Sequence, residues 1–540
     1  MQIKEGEMDM KAKLKDNTIQ ITFQYDPDLV QKMRSLDNRK WNPDFKQWEC
    51  VPIKQNIEKL AKWGFDLDDE IINLTLPRKE KVYKEIEVPG FKKTLMPFQK
   101  QGVAFLVEKN GRGLIADSMG LGKTVQAVAY LQAFPKIRPV LIICPKSAIG
   151  TWEREINGCM SDKKQIHILN GKTIKEIPSA NIYIINYDIL SSWIDALLDL
   201  PFELIILDEI HKISSRKTQR TMASQMIGKK TEKIIGLTGT PIKSRPLEIF
   251  NAISLINPKL FPNFFQFAKR YCNAKQSKWG WDFTGSSNTQ ELHEILTSTC
   301  MIRRLKKDVL PDLPEKTRTI IPVKIDNMEE YKFAERSFSE WLLETKDKVC
   351  MSAEALTQIE YLKQIAAKGK LDEILDWIED VVEQGEKLVV MAHHKEIIKE
   401  ICSWLEKNSI KYVKLIGGSS DKERKETEEK FQIDESIKVF VGSSAAEEAI
   451  TLTAASMMAI IELPWTPGSL DQREDRIHRI GQTKGCNYYY FIAEKTIEEA
   501  ILKLLDAKRK TITAILDGKD VDEKSILLEL LDELREERRK

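Results

Sequence analysis

Short, unbroken apolar runs alternate along most of the chain with segments in which apolar residues recur at helical spacing. In the first half these runs lie at 113–117, 140–145, 181–187, 204–209 and 233–240. In the second half they lie at 387–393, 412–418, 437–443, 457–464 and 487–493. Strands that helices cover on both faces have this character, whereas a sheet with one wet face alternates apolar and polar residues. The pattern predicts two parallel α/β lobes, with an aromatic, helical stretch between them at about 244–380.

Composition narrows the class of protein only slightly. The 540 residues carry 84 Lys and Arg against 82 Asp and Glu, a net charge of +2, so a polyanion would need a local basic groove. The eight cysteines are scattered singly without a CxxC pair, which favours reduced thiols over structural zinc and predicts a cytoplasmic protein. The N-terminus is charged, and no apolar run reaches the length of a membrane helix.

The segment "DSMGLGKTVQ" (117–126) predicts a phosphate-binding loop. It follows the first strand of the first lobe and opens a helix, where backbone N–H groups and the helix N-terminus attract phosphate. Lys123 would reach the outer phosphates of a nucleotide and Thr124 would bind Mg²⁺. Asp117 stands where the standard loop begins with glycine, and an ordinary glycine-rich turn is the alternative. The candidate nucleotide contacts are Asp117, Met119, Gly120, Leu121, Gly122, Lys123 and Thr124.

Two further loops follow later strands of the same lobe. Asp208 and Glu209 end the strand in "LIILDEIHK", at the edge where ligands of parallel sheets bind. Asp208 suits Mg²⁺ and Glu209 suits orientation of an attacking water, although such a pair could also cap the next helix. In "GLTGTP" (236–241), Thr238 and Thr240 could transmit the state of the nucleotide, or the segment could be a plain turn.

The segment "EDRIHRIGQ" (474–482) brings two arginines to the second lobe. Arg476 and Arg479 are three residues apart and would point to the same side of a helix. An arginine supplied by another lobe can stabilise the charge on a transferred phosphoryl group. The alternative is a solvated helix face or salt bridges with Glu474 and Asp475.

In order along the chain, these segments resemble the helicase motifs of Swi/Snf-type ATPases, within helicase superfamily two. The resemblance covers about residues 90–510 and includes "LMPFQKQGVAFL", "LIICPKSAIGTWEREI", "MIRRLKKDVLPDLPEK" and "DQREDRIHRIGQ". It implies two RecA-like lobes and a DNA-stimulated ATPase that uses ATP with Mg²⁺ and moves along duplex DNA. It also implies nucleotide contacts at Gln99 and Gln472, and DNA backbone contacts at Lys146, Ser147, Thr451 and Thr453.

A finer resemblance concerns one branch of that family. "KLVVMAHHKEII" and "ELPWTPGSL" are similar to annealing helicases and fork remodellers, and residues 23–52 are similar to the HARP module that precedes the motor in that branch. Trp41 and Trp48 would then stack on branched DNA, or they could simply build the core of a small domain. His393 and His394 suggest a metal site, but a strand end that matches the family motif explains them better.

One segment departs from the family pattern. Where most members have several glycines near DNA, the chain reads "GSSAAEEAITLT" (442–453), with Ala446, Glu447 and Ala449 at the glycine positions. Glu447 and Glu448 would repel phosphate if they faced the DNA. The segment therefore raises a question about how well DNA binding is coupled to ATP hydrolysis.

The sequence predicts an α/β protein with five parts. These are a HARP-like α+β module at 1–75, RecA-like lobes at 85–300 and 381–510, a linker with a helical protrusion at 301–380 and a C-terminal helix at 511–540. The expected function is ATP-dependent translocation on double-stranded DNA that remodels or anneals forked DNA in repair, replication or defence. A strand-separating helicase and a non-enzymatic DNA-binding scaffold are the alternatives.

Overall fold

The computed structural model describes most of the chain. The described residues are 10–15, 18–37, 39–71, 83–162, 164–172, 177–242, 245–277, 280–283, 285–344, 353–447 and 450–517.

The N-terminal module is a small α+β domain, as predicted. Its five-stranded sheet has the order Lys40–Asn42, Gln47–Cys50, Thr18–Thr22, Lys11–Lys15, Asp66–Leu67, and its helices are Pro27–Met33 and Lys54–Lys62. Alternate residues of the strands, such as Ile19 and Ile21, point to one side and are fully buried against Leu29, Met33 and Leu60. The module therefore has its own apolar core.

The first lobe contains a parallel sheet of seven strands. Their order is Met301–Ile302, Arg112–Ile115, Lys233–Leu237, Leu204–Asp208, Val140–Cys144, Ile182–Asn186, Ile166–Leu169. Neighbouring residues of one strand serve opposite faces, since Ile143 joins the apolar cluster on one side and Ile142 the cluster on the other. The apolar runs of the sequence correspond to the five central strands, which confirms the parallel sheet.

Helices cover both faces of this sheet. Their bounds are Pro97–Glu108, Lys123–Ala133, Ile149–Cys159, Ile194–Leu198, Gln219–Lys230, Phe250–Ile256, Phe264–Tyr271 and Thr289–Thr299, with 3-10 turns at Lys146–Ala148, Leu190–Trp193, Ile210–Ile213 and Pro246–Ile249. Between the last two helices lies a short hairpin, Lys275–Ser277 and Gly280–Asp282. The first part of the aromatic stretch, up to about residue 299, therefore packs on the first lobe, and its later helices pack on the second.

The second lobe contains a parallel sheet of six strands. Their order is Lys316–Val323, Cys486–Ala493, Met457–Ile460, Leu388–Met391, Val439–Gly442, Tyr412–Leu415. Its helices are Lys306–Val309, Met328–Glu344, Ala353–Gly369, Leu371–Glu383, Lys395–Lys407, Asp421–Ile433, Pro467–Glu474 and Ile497–Asp517, with a 3-10 turn at Ser444–Glu447. The five predicted strands are present, and the two-lobed α/β architecture is confirmed.

The segment between the two sheets is shorter than the linker predicted at 301–380. Met301–Ile302 pairs with Arg112–Ile115 of the first sheet, and Lys316–Val323 pairs with Cys486–Ala493 of the second. The sequence hides both strands, because one is two residues long and the other is a largely exposed edge strand with no continuous apolar run. Only residues 303–315 join the two sheets.

Two further predictions concern the C-terminal helix and membrane-spanning segments. The C-terminal helix begins at Ile497 within the second lobe and is described to Asp517, so most of the helix predicted at 511–540 lies outside the described residues. Among the described helices, none has the length and apolar character that crossing a bilayer requires.

Candidate nucleotide site between the lobes

The phosphate-loop segment links the strand Arg112–Ile115 to the helix Lys123–Ala133. Gly120 and Gly122 have φ of +81° and +72°, a backbone conformation that residues with a Cβ adopt only with strain. Nζ of Lys123 lies inside the loop and donates to the carbonyl oxygens of Asp117 (3.0 Å) and Ser118 (3.4 Å). Burial lowers the pKa of Lys123, while Glu209, Asp117 and Asp208 oppose that shift. The lysine is thus in the position from which it would meet phosphate oxygens.

The phosphate loop has little space beside two of the glycines in and around it. A Cβ on Gly122 would lie 2.5 Å from Nε2 of Gln99, and one on Gly239 would lie 2.3 Å from Cγ of Met119 and 3.2 Å from Nζ of Lys123. A side chain at either position would therefore displace a neighbouring side chain, and at Gly122 the positive φ would add strain. With Thr124 opening the helix, the loop has the shape and donor groups that a nucleotide phosphate requires.

Gln99 holds the loop in place. Its Nε2 donates to the carbonyl oxygen of Leu121 at 3.2 Å, and its Oε1 accepts from the backbone N–H of Met96 at 3.0 Å. Gln99 is buried at the start of the helix Pro97–Glu108. Its contact with adenine stays a prediction, but its amide already joins that helix to the phosphate loop.

The Asp117 side chain faces away from the loop interior. It is fully buried and accepts hydrogen bonds from Nε of Arg304 (2.9 Å), from the backbone N–H of Arg304 (3.1 Å) and from Nε2 of Gln126 (3.0 Å). Its carboxylate is therefore engaged within the protein, and the nucleotide contact expected of Asp117 stays a prediction. The aspartate in the first loop position anchors the segment that leads to the second lobe.

Asp208 and Glu209 end the buried strand Leu204–Asp208, as expected. Oδ2 of Asp208 accepts from Nε1 of Trp152 at 2.9 Å, and its Oδ1 accepts from the backbone N–H of Glu209 at 3.0 Å. Burial, followed by the charge of Glu209, raises the pKa of Asp208 to about 7. The oxygen donors of Asp208 and Thr124 are the kind that Mg²⁺ prefers, so this edge of the sheet fits a hard cation.

Glu209 is tied to the neighbouring loop "GLTGTP". It adopts φ of +50°, and its Oε2 accepts from Oγ1 of Thr238 (3.2 Å) and lies 3.1 Å from Nδ1 of His211. Oγ1 of Thr238 also accepts from the backbone N–H of Thr240 at 3.1 Å. The two loops therefore share one hydrogen-bond network, which supports the role expected for Thr238 and Thr240.

That network reaches the second lobe through Gln472. Its Nε2 lies 3.5 Å from Oγ1 of Thr240, and both side chains are buried. Gln472 was expected to contact the nucleotide, and it lies at the boundary of the two lobes where a nucleotide would bind. The glutamine instead contacts the loop beside that position, so its direct nucleotide contact stays a prediction.

Arg476 and Arg479 lie beyond the end of the helix Pro467–Glu474, in the following turn. The expectation that a helix aligns them is wrong, yet both guanidinium groups donate to the carbonyl oxygen of Ile450, at 3.2 and 3.4 Å. Nη2 of Arg476 is 3.9 Å from Sδ of Met119 in the phosphate loop. A Cβ on Gly120 would lie 2.8 Å from Cβ of Arg479. The two arginines therefore abut the phosphate loop across the lobe boundary.

The neighbouring acids Glu474 and Asp475 pair with other basic side chains of the lobe boundary. Glu474 binds Arg318 (2.6 Å) and Lys316 (3.3 Å), and Asp475 binds Lys316 (2.6 Å) and Lys306 (2.9 Å). Glu474 and Asp475 thus form ion pairs with Arg318, Lys316 and Lys306. Burial, followed by repulsion from Arg476, lowers the pKa of Arg479 to about 10. This concentration of positive charge next to the phosphate loop favours an anion between the lobes.

The sequence does not reveal the role of two further residues at this boundary, Arg304 and Lys306. Arg304 anchors on Asp117 in the first lobe, while Nζ of Lys306 contacts Asp475 and the carbonyl oxygen of His478 in the second. Both belong to "RRLKKDVL", a segment that the family resemblance marks without giving its members a role. Their buried partners lie far away in sequence, which is why spacing could not reveal them.

In the unusual segment at 442–453, Glu447 is buried and paired within the second lobe. Oε1 of Glu447 accepts from Nε of the buried Arg473 at 2.8 Å, and Nη1 of Arg473 donates to the carbonyl oxygen of Glu462 at 2.9 Å. The sequence predicts that Glu447 would repel phosphate if it faced the DNA. The ion pair with Arg473 balances the charge of Glu447 within the lobe. Glu448 and Ala449 lie outside the described residues.

The predicted DNA contacts are spread over both lobes. Lys146 is exposed and Ser147 half-buried in the turn that follows the strand Val140–Cys144. In the second lobe, the backbone N–H of Thr451 donates to Glu428 at 2.9 Å, and Oγ1 of Thr453 accepts from Gln432 at 3.0 Å. Thr453 is thus engaged within the lobe, and all four DNA contacts stay predictions.

In the N-terminal module, Trp41 and Trp48 are cross-strand partners. Their ring centroids are 5.5 Å apart, and 46% of Trp41 is exposed while Trp48 is half-buried against the module's core. Neither interpretation of the two tryptophans is therefore complete, since Trp48 helps build the core and Trp41 offers a free aromatic face.

His393 and His394 of the second lobe both contact the carboxylate of Glu462. The buried Glu462 accepts from the backbone N–H of His393 (2.6 Å) and of His394 (2.9 Å), and it contacts Nδ1 of His394. Among the residues that the structure describes, no cluster of three or more His, Cys, Asp or Glu side chains is placed to hold a metal ion. The pair His394–Glu462 is a structural ion pair at a strand end.

A phosphate loop on one RecA-like lobe, completed by arginines from a second such lobe, defines a two-lobed motor ATPase of the helicase type. Residues 98–371 match the SNF2-related domain, and residues 369–481 match the helicase conserved C-terminal domain. The chain therefore belongs to the SNF2-related family.

Several relatives extend this comparison. The Caenorhabditis elegans homolog of SWI/SNF-related matrix-associated actin-dependent regulator of chromatin subfamily A-like protein 1 is 32% identical over 501 residues, 89% of this chain and 72% of its own. The Xenopus laevis protein of that name is 37% identical over 422 residues, 77% of this chain and 44% of its own. The human DNA annealing helicase and endonuclease ZRANB3 is 34% identical over 440 residues, 79% of this chain and 40% of its own.

The chain spans about half the length of most of these curated relatives. A solved structure, the Sulfolobus solfataricus SWI2/SNF2 ATPase core in complex with dsDNA, aligns with 81% of this chain and 96% of its own at 27% identity and a TM-score of 0.40.

Proposed function

We propose that the protein is an ATP-dependent double-stranded DNA translocase that remodels or anneals forked DNA in repair, replication or defence. The observation that carries this proposal is the meeting of Arg476 and Arg479 with the phosphate loop across the lobe boundary. Hydrolysis at such a boundary is linked to opening and closing of the lobes, which is what a translocating motor needs. Relatives named as DNA annealing helicases support the choice of annealing.

Each residue of the site has a role in the proposed reaction. Lys123 binds the outer phosphates, and Thr124 and Asp208 would hold Mg²⁺, which would neutralise phosphate charge when bound. Glu209, fixed by Thr238 and His211, orients the attacking water. Arg476 and Arg479 stabilise the negative charge that develops as the phosphoryl group transfers.

DNA would lie across both lobes at the carboxyl ends of the strands. Lys146 and Ser147 on the first lobe and Thr451 and Thr453 on the second are the proposed backbone contacts, and such contacts carry no base sequence. Trp41 of the N-terminal module would stack on an unpaired base of a branched substrate. Duplex movement and branch recognition would therefore depend on different parts of the chain.

Steady-state ATP hydrolysis tests this proposal. It is measured for the full chain without nucleic acid and with single-stranded DNA, blunt duplex, forked DNA and duplex RNA. Strong stimulation by duplex and fork, abolished by Lys123→Ala and kept by Lys136→Ala at an exposed lysine of the same lobe, is the expected result. Equal turnover with every sample would refute a DNA-driven motor.

The role of the N-terminal module is tested with a pair of variants. Trp41→Ala should reduce stimulation by forked DNA and leave stimulation by duplex intact. Tyr361→Ala is the matched control, since 49% of Tyr361 is exposed on the second lobe against 46% of Trp41. A strand-displacement assay on the same fork separates remodelling from strand separation, because a strand-separating helicase would release the labelled strand without reannealing it.

A further inference from the structure

The hairpin Lys275–Ser277 and Gly280–Asp282 carries an aromatic cluster that the nucleotide site does not use. We name the rings of Phe265, Trp281 and Phe283 the aromatic platform. Phe265 comes from the helix Phe264–Tyr271, and the other two come from the second strand of the hairpin and the residue after it. No strand was predicted here, because these segments are only three residues long.

The rings of the platform have a specific arrangement. The planes of Trp281 and Phe283 are parallel within 2°, with centroids 6.4 Å apart, because alternate residues of an extended chain point to the same side. Phe265 stands perpendicular to both, at 4.8 and 6.1 Å. Trp281 is the exposed ring of the platform, so it is the ring that a planar base can reach first.

One positive charge, that of Lys269, lies against the rings of the platform. Nζ of Lys269 lies 4.9 Å from the centroid of Phe265 and 5.1 Å from that of Trp281. Asp282 pairs in register with Lys275, and strand alternation turns both away from the side that carries Trp281. A partner of the platform should therefore combine a flat aromatic group with negative charge, which describes a nucleotide.

The platform is also accessible. Trp281 is 38% exposed, whereas Trp152 in the core of the same lobe is fully buried. Phe265 and Phe283 are half-buried beneath it, so Trp281 is the exposed part of the platform. Packing of the first lobe does not account for Trp281, because only Phe283 of the three rings lies against the lobe's apolar core.

The platform adjoins the N-terminal module. Arg270, next to Lys269 on the same helix, contacts Asp37 at 2.8 Å and Gln55 at 3.2 Å in that module, and it also binds Glu291 of the first lobe. One helix thus carries the aromatic platform and the docking contact of the module that exposes Trp41. Two stacking surfaces with this common support suit a DNA junction, where unpaired bases lie close to a duplex.

We propose that the aromatic platform binds one unpaired base of single-stranded DNA at a branch point, stacked against Trp281 and Phe283, with Lys269 next to the adjoining phosphate. The proposal rests on the proposed action on forked DNA and adds a second base-binding site to it. Because stacking requires a flat ring and not a particular base, the site has no base preference.

Binding of fluorescent DNA by the full chain tests the platform. The probe is a forked DNA with 2-aminopurine in one unpaired arm, and the fluorescence of this base falls when it stacks on an aromatic ring. Affinity for the fork and for a blunt duplex of the same sequence is measured at one salt concentration, since phosphate contacts make affinity salt-dependent. The variants are Trp281→Ala, Trp281→Phe and the control Phe333→Ala, at an exposed aromatic residue of the second lobe.

Trp281→Ala should weaken fork binding about tenfold, within the range for loss of one base–aromatic stack, and abolish the fall in fluorescence. Duplex binding should not change, and Trp281→Phe and Phe333→Ala should resemble the unmodified chain. Equal fork binding by Trp281→Ala, or an equal loss with Trp281→Phe, overturns the proposal, as does a parallel loss of duplex binding. If no DNA stimulates ATP hydrolysis, the proposed function fails, while the fluorescence still reports on the platform.

Discussion

In the proposed reaction, single side chains at the lobe boundary divide into those that bind the nucleotide and those that act in its hydrolysis. Lys123 sits inside the phosphate loop and contacts its carbonyl oxygens, whereas Arg476 and Arg479 approach from the other lobe. Removing the lysine therefore removes a binding contact. Removing an arginine leaves the loop intact and withdraws charge that is needed mainly in the transition state.

Arg479→Ala should keep ATP affinity within a few-fold and lower the hydrolysis rate by roughly 10³-fold or more, the range for arginine fingers. Binding of a fluorescent ATP analogue and steady-state hydrolysis with duplex DNA measure the two effects. Arg424→Ala, at a partly buried arginine of the same lobe that donates to the carbonyl oxygen of Ala445, is the control. Unchanged turnover of the Arg479 variant would remove the arginine from the reaction.

The ion pair His394–Glu462 predicts a pH-dependent contribution to stability. Burial tends to lower the pKa of His394, but the hydrogen bond and charge of Glu462 outweigh it and raise that pKa above the ordinary 6.5. Burial tends to raise the pKa of Glu462, and the bonds from His394 and His393 instead lower it to about 2. The histidine's contribution is complete below 6.5 and lost above its raised pKa, while the glutamate's is complete above 4.5.

His394→Gln should therefore lower the free energy of unfolding most at about pH 5.5–6, by about 2 kcal/mol, and least near pH 9. Urea unfolding at the two pH values measures the difference. The neighbouring His393 has a pKa that burial lowers, so His393→Gln should not show the larger loss at pH 6. A loss that is independent of pH would contradict the charged pair.

At the scale of strands and helices, the sequence predicted the buried central strands of the parallel sheets but not the exposed strands at their edges. The five central strands of the first lobe are continuous apolar runs because helices cover both faces. The edge strand Lys316–Val323 and the aromatic hairpin have no such run. In the site, spacing within one motif predicted Lys123 and Asp208, while Arg304 and Arg473 depend on partners from distant elements that spacing cannot reveal.

The pair Glu447–Arg473 joins the turn Ser444–Glu447 to the helix Pro467–Glu474, which also carries Gln472. Glu447→Ala and Arg473→Ala should each lower the free energy of unfolding by about 3 kcal/mol, since each leaves a buried charge alone. The double variant should lose clearly less than the sum, with a coupling of about 2 kcal/mol.

Urea unfolding of the single and double variants measures this coupling, and ATP hydrolysis of the double variant shows whether the pair also supports turnover. The exposed pair Lys425–Glu429 on another helix of this lobe provides a control cycle, in which the coupling should be below about 1 kcal/mol. Additive losses at Glu447 and Arg473 would mean that the pair does not join the two elements.

For the molecule as a whole, the segment between the sheets controls how the lobes meet. Lys306 is buried against Asp475 and the carbonyl oxygen of His478, and burial lowers its pKa to about 8. Lys306→Ala should reduce DNA-stimulated hydrolysis about tenfold, a loss of about 1.4 kcal/mol, and increase the radius of gyration in X-ray scattering. The exposed neighbour Lys307 is the control, and Lys307→Ala should change neither quantity. A compact, fully active Lys306 variant would contradict this role.

Arg304 and Lys306 are separated by one residue, and each is fastened to a different lobe, the first at Asp117 and the second at Asp475. The connection between the two lobes is therefore very short at this point. A shift of the phosphate loop that moves Asp117 is delivered to the second lobe without being absorbed by a flexible loop. In the proposed motor, the movement between the lobes would then depend on the geometry of these few side chains, and a glycine inserted beside Leu305 should uncouple ATP hydrolysis from translocation.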